Sequence, residues 1–89
     1  ILMYNKTVTV ANEVGLHARP ATYLIQKANE YKCGLWIEEG ERRVNAKSLL
    51  GVLSLGVVQG TEINIVGDGV DEQEAVDELV RLVQSNFNE

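Results

Sequence analysis

The stretch Gly15-Leu16-His17-Ala18-Arg19-Pro20-Ala21-Thr22-Tyr23-Leu24-Ile25-Gln26-Lys27-Ala28 sets the frame for the rest of the chain. Apolar residues fall at 21, 24, 25 and 28, the spacing of one face of an α-helix. Pro20 marks where that helix starts. A proline has no N–H to donate, which matters little in a first turn and costs about 3 kcal/mol deeper in a helix. His17 and Pro20 are the only histidine and the only proline of 89 residues, with Arg19 between them. His17 is placed at or just before the first turn, where free amides and the positive end of the macrodipole face an anion held near the imidazole. A titratable nitrogen, a guanidinium and free amides at one point suit binding or carrying a phosphate. The same spacing also fits a plain surface or capping histidine.

Outward from this helix the pattern alternates. Tyr4 to Val10 carries Thr7, Val8, Thr9 and Val10, a strand with Val8 and Val10 inward. Ala11 to Leu16 is a loop. The first helix runs to about Tyr31, and Gly34 lies in the turn or strand start beyond. Leu35-Trp36-Ile37-Glu38 alternates, with Leu35 and Ile37 on one face. Parity puts Trp36 on the other, a face open to water in an antiparallel sheet with one side uncovered. Glu39-Gly40-Glu41 reads as a tight hairpin turn, and Arg42 to Asn45 as the returning strand.

Ser48 is a good N-cap for a short helix that Gly56 ends in the left-handed conformation, while Gly51 stands where a capping box needs Glu or Gln. Leu49, Leu50, Val52, Leu53 and Leu55 are too many for one stripe of two turns. An uncharged helix with some leucines exposed is a candidate contact surface; a fully buried short helix is the alternative. Gln59-Gly60-Thr61 is a turn, and Glu62 to Val66 is a fourth strand closed by Gly67-Asp68-Gly69. The last helix opens with Asp71 and Glu74 at capping-box spacing and buries Ala75, Val76, Leu79, Val80, Val83 and Phe87. Asp71, Glu72 and Glu74 suit its N-terminal dipole and read as structural. The order β-α-β-β-α-β-α predicts a single α+β domain over 1–89. It would be a two-layer open-faced sandwich, a four-stranded antiparallel sheet covered on one face by three helices.

Composition narrows the function. With 45% apolar and 24% charged residues the chain is ordinarily globular. A net charge of −5 argues against general nucleic-acid affinity. The single cysteine, Cys33, has no internal disulfide partner, and no Cys/His cluster offers metal ligands; neither metal nor cofactor is expected. No signal peptide and no apolar run of the roughly 20 residues a membrane helix needs is evident, so a reduced cytoplasmic location without membrane insertion is the expectation. No acid falls between Gly15 and Asn29 or between Arg42 and Thr61. Two such segments in an acidic chain suit a partner of negative potential, though clustering by chance would look the same.

Gly15-Leu16-His17-Ala18-Arg19-Pro20-Ala21-Thr22 resembles the active-centre signature of the histidine-containing phosphocarrier protein HPr, of the bacterial phosphoenolpyruvate-dependent sugar phosphotransferase system. Lys47-Ser48-Leu49-Leu50-Gly51-Val52-Leu53-Ser54-Leu55-Gly56 looks like that family's second signature, around a regulatory serine. The resemblance implies a carrier rather than an enzyme. His17 would accept phosphate on Nδ1 from phosphorylated enzyme I and pass it to sugar-specific enzyme IIA domains. Arg19 would neutralise phosphoryl charge, and amides near Ala18 and Arg19 would bind its oxygens. Ser48 would be modified by the HPr kinase/phosphorylase of low-GC Gram-positive bacteria. Leu49, Leu50 and Leu53 would meet enzyme I, enzyme IIA and the regulator of carbon catabolite repression, with Thr22, Lys27 and Lys47 in the same partner surface of a monomer.

The chain departs from the family in having Leu50 and Leu53 where many members carry methionines, and Val14 before the Gly-Leu-His run. An alternative is the regulatory HPr-like paralogue, which lacks the active histidine and acts through its phosphorylated serine as a corepressor. The presence of His17 weighs against it.

Overall fold

The computed structural model describes residues 3–12, 15–16 and 18–87, with Ala18 described by its backbone. The chain runs β1 (Tyr4–Thr9), α1 (Ala18–Ala28), β2 (Gly34–Glu39), β3 (Arg42–Asn45), α2 (Leu49–Ser54), β4 (Glu62–Asp68) and α3 (Glu72–Gln84). The strands form one sheet in the order β1-β4-β2-β3, antiparallel at every pairing. This is the predicted open-faced sandwich.

Register places Val8 opposite Ile63 and Ile37 opposite Ile65, so the β-branched and aliphatic side chains of three strands share one face. Leu24 and Ala28 of α1 and Ala75, Val76, Leu79 and Val83 of α3 complete the core over it. Gly67 lets α3 come close: a Cβ there would lie 2.8 Å from Val76 Cγ2. The opposite face carries Trp36, as parity predicts. Its ring lies along the strand over Gly34, where a Cβ would come within 2.5 Å of it, and Arg43 stacks on the ring at 4.5 Å. Thr7, Asn64, Glu38 and Arg43 form a polar row across that face, with Asn64 donating to Glu38 at 3.1 Å and Arg43 3.7 Å from the Glu38 carboxylate.

Several features differ from the sequence reading: β1 ends at Thr9 instead of Val10, and Glu39 belongs to β2 instead of the hairpin turn. α1 ends at Ala28 instead of Tyr31, because Asn29 turns back: its side-chain amide donates to Ile25 O at 2.9 Å. β4 extends through Gly67 and Asp68, which pair with Tyr4, Leu35 and Gly34. Asp71 and Glu74 form no capping box. Asp71 makes no side-chain cap bond to its own helix, and its carboxylate is committed across the chain to the amides of Lys32 and Cys33, both at 2.9 Å. Phe87 is buried, yet from beyond the end of α3. Asn86 and Phe87 take φ of 59° and 64°, and the Phe87 N–H reaches back to Leu82 O at 2.9 Å. Leu82, absent from the predicted stripe, is buried as well.

Candidate functional site

Ala18, Arg19 and Pro20 are the first three residues of α1. The amides of Ala18 and Arg19 therefore have no acceptor carbonyl within the helix, and Pro20 has no N–H to leave unpaired. The first turn holds no acid, and Arg19 is exposed. The geometry leaves donors and a cation at the helix start. His17, next in the chain before Ala18, lies outside the described residues, as does Val14.

The approach to this helix is held by backbone. Gly15 has φ of 63°, and a Cβ at that position would overlap Val57 O and lie 2.8 Å from Val58 Cα. The Leu16 N–H donates to Val57 O at 3.0 Å, and Leu16 is wholly buried. Asn12 closes the loop, its amide donating to Gly15 O at 2.8 Å. The Asn12 Oδ1 is buried with no hydrogen-bond partner among the described residues. Sequence reasoning missed Asn12 and the Val57 carbonyl, since no pattern links them to the Gly15 run.

Val57 follows α2 closely, so the two signatures meet in space. Ser48 caps α2: its Oγ accepts from the Gly51 N–H at 3.2 Å, and Gly56 closes the other end with φ of 64°. Val52 and Leu55 are buried, while Leu49 is 45% and Leu50 80% exposed; Leu53 is partly buried. Of the two sequence readings the structure has the exposed one. Methionine or leucine at 50 would present similar apolar area here, the leucine with less flexibility.

Thr22 lies exposed on α1. Lys47 donates from Nζ to Tyr31 O at 2.7 Å, which binds its charge near the end of α1. Lys27 lies 3.8 Å from Glu30, so its charge is partly matched within the chain. Asn29 bridges from α1 to Lys47 O at 3.4 Å. Behind this surface, burial foremost and then the Asp71 carboxylate push the Cys33 thiol up to about 11, which keeps it protonated and unreactive. No helix among the described residues is long and apolar enough to cross a membrane.

An open-faced sandwich with a serine-capped, partly exposed apolar helix beside the start of α1 is the architecture of a class of phosphoryl-carrier domain, as comparison with known proteins shows. The family model described as the PTS HPr component phosphorylation site matches residues 4–85. The chain is 42% identical over 82 residues to the HPr-like protein Crh of Bacillus subtilis, covering 92% of this chain and 96% of that one. It is 39% identical over 87 residues to the phosphocarrier protein HPr of Treponema pallidum, covering 98% and 99%. The structure of HPr-C-His from Thermoanaerobacter tengcongensis superposes with a TM-score of 0.94 at 42% identity, covering 97% of each chain. An HPr dimer from the same organism does so at 0.78 and 43% identity, covering 92% and 94%. The chain belongs to the HPr family of phosphocarrier proteins.

Proposed function

We propose that this protein carries a phosphoryl group on His17 from phosphorylated enzyme I to sugar-specific enzyme IIA domains. The observation that supports this most directly is the start of α1 at the residue after His17, where the Ala18 and Arg19 amides have no acceptor within the helix and Arg19 is exposed. Imidazole has an ordinary pKa of about 6.5, so near neutrality much of it is the neutral nucleophile. The Nδ1 lone pair attacks phosphorus, a new N–P bond forms and the bond to the donor breaks; transfer to enzyme IIA repeats this with His17 as leaving group. Such transfer needs positioning and charge stabilisation more than covalent help, which the amides of Ala18 and Arg19 and the guanidinium supply. The protein turns over no substrate of its own and works as a monomer in the cytoplasm, with Leu49, Leu50 and Leu53 as docking surface and Thr22, Lys27 and Lys47 around it. Sedimentation at micromolar concentration checks the monomer against the dimer seen for the Thermoanaerobacter relative.

Ser48 is the regulatory site in this reading, a substrate for HPr kinase/phosphorylase and, once modified, a ligand of the catabolite control regulator. Phosphate would add about −1.5 to −2 charges beside the docking leucines. An acidic partner would be repelled, and transfer to His17 slowed. Incubation with enzyme I and phosphoenolpyruvate, followed by mapping of the modified residue, tests the whole reading. Acid-labile phosphate on the intact protein and none on His17→Ala is the expected result; an intact protein that never gains it overturns the proposal in favour of a serine-regulated, Crh-like role.

A further inference from the structure

We propose that Arg42 is a positioning residue for partner docking: from the edge strand β3 its guanidinium holds the C-terminal end of α2 and so fixes how Leu49 and Leu50 are presented. This rests on the reading of α2 as the docking surface. The need for such a residue follows from the helix itself. α2 has six residues, too few to be stable alone, and Gly51 sits within it. Val52 is its one fully buried side chain, so apolar anchorage is small. Ser48 holds the N-terminal end. At the negative end of the dipole the Gly51, Val52 and Leu53 carbonyls accept from Ser54 Oγ and from the Leu55 and Gly56 amides, which leaves the carbonyls of Ser54 and Leu55 without a local backbone donor among the described residues.

Arg42 fills that gap. Its Nη2 donates to Ser54 O at 2.7 Å, and Nη1 lies at the limit of hydrogen-bond distance, 3.5 Å, from Leu55 O. A planar fork reaching two successive carbonyls is a task for arginine, which lysine performs with one point charge. Strand alternation decides which arginine does it. Arg43 projects to the open face, onto Trp36 and Glu38, whereas Arg42 and Val44 project towards the helices, and Val44 packs near Gly51. Arg42 thus ties the free edge of the sheet to the C-terminal end of the helix that carries the exposed leucines, opposite the end held by Ser48.

The test measures enzyme I-dependent phosphorylation by phosphoenolpyruvate across a range of carrier concentrations, together with amide exchange at Val52, Leu55 and Gly56. Arg42→Ala is expected to raise KM for the carrier roughly fivefold, about 1 kcal/mol, with kcat unchanged. It should also speed exchange at Leu55 and Gly56 while Ile65 and Leu79 keep wild-type protection. Arg42→Lys should recover part of both effects. Raised KM with unchanged exchange would mean that Arg42 touches the partner directly, and protection lost throughout the chain would mean a global stabilising role; either overturns the proposal. So do wild-type KM and exchange in Arg42→Ala while Leu50→Asp raises KM. If Leu50→Asp itself leaves KM unchanged, the docking surface is elsewhere, and that separate failure removes the ground on which Arg42 was assigned.

Discussion

The Asp71 carboxylate accepts the amides of Lys32 and Cys33, and these bonds, led by the Lys32 amide, hold it below its ordinary value of 3.8. The Lys6 ammonium does the same for Asp77, and the Arg81 guanidinium for Glu78. In each case the unfolded chain takes up protons before the folded one as pH falls. Their stabilisation is therefore complete above the ordinary carboxylate range and is lost as pH drops through the lowered folded-state values. The urea midpoint should fall with acidification below about pH 4. Asp71→Asn should be less stable at pH 7 and show a shallower decline, and an acid limb identical to wild type would show that Asp71 plays no part. Gly15 makes a different demand. Its positive φ costs a substituted residue about 1–2 kcal/mol, and the overlap with Val57 O adds to that. Gly15→Ala should lose more than about 2 kcal/mol in urea denaturation.

Among the elements, α2 combines a structural cap and a proposed regulatory site in one hydroxyl. Ser48→Ala removes the acceptor of the Gly51 N–H and should cost about 1 kcal/mol. Aspartate caps as well as serine, so Ser48→Asp should keep stability within about 0.5 kcal/mol of wild type. The two variants separate cap from charge. If Ser48→Asp accepts phosphate from enzyme I as fast as wild type, repulsion of an acidic partner is not how the serine regulates. α3 shows the opposite case, an acidic residue at a helix start that serves another part of the chain. Its far end turns by two left-handed residues to bury Phe87, a conformation that Asn86 accepts more readily than most residues.

Across the whole molecule, core and docking surface answer to different substitutions. Leu79 is fully buried between α3 and the sheet, and Leu79→Ala should cost about 2–5 kcal/mol. Leu50 is 80% exposed, so Leu50→Asp should leave the urea midpoint within about 0.5 kcal/mol of wild type while raising KM in the enzyme I assay. Much of this was legible beforehand, because alternation and 3.6-residue spacing report local geometry. The order of elements, the inward Val8 and Val10, the open-face Trp36, the Ser48 cap and the Gly56 close all follow from residues a few positions apart. The sequence by itself determined the sandwich and, through two signatures in register, the family. Tertiary structure decided the rest: that Asp71 binds Lys32 and Cys33, that Gly15 is pressed on Val57, that Lys47 is tied to Tyr31, and that Arg42 closes α2. These contacts join residues 12 to 42 positions apart, and local periodicity carries no information about which distant backbone group a side chain will meet. Which leucines of α2 stay exposed was decided in the same way, since a six-residue helix buries whichever side the sheet and α1 happen to cover.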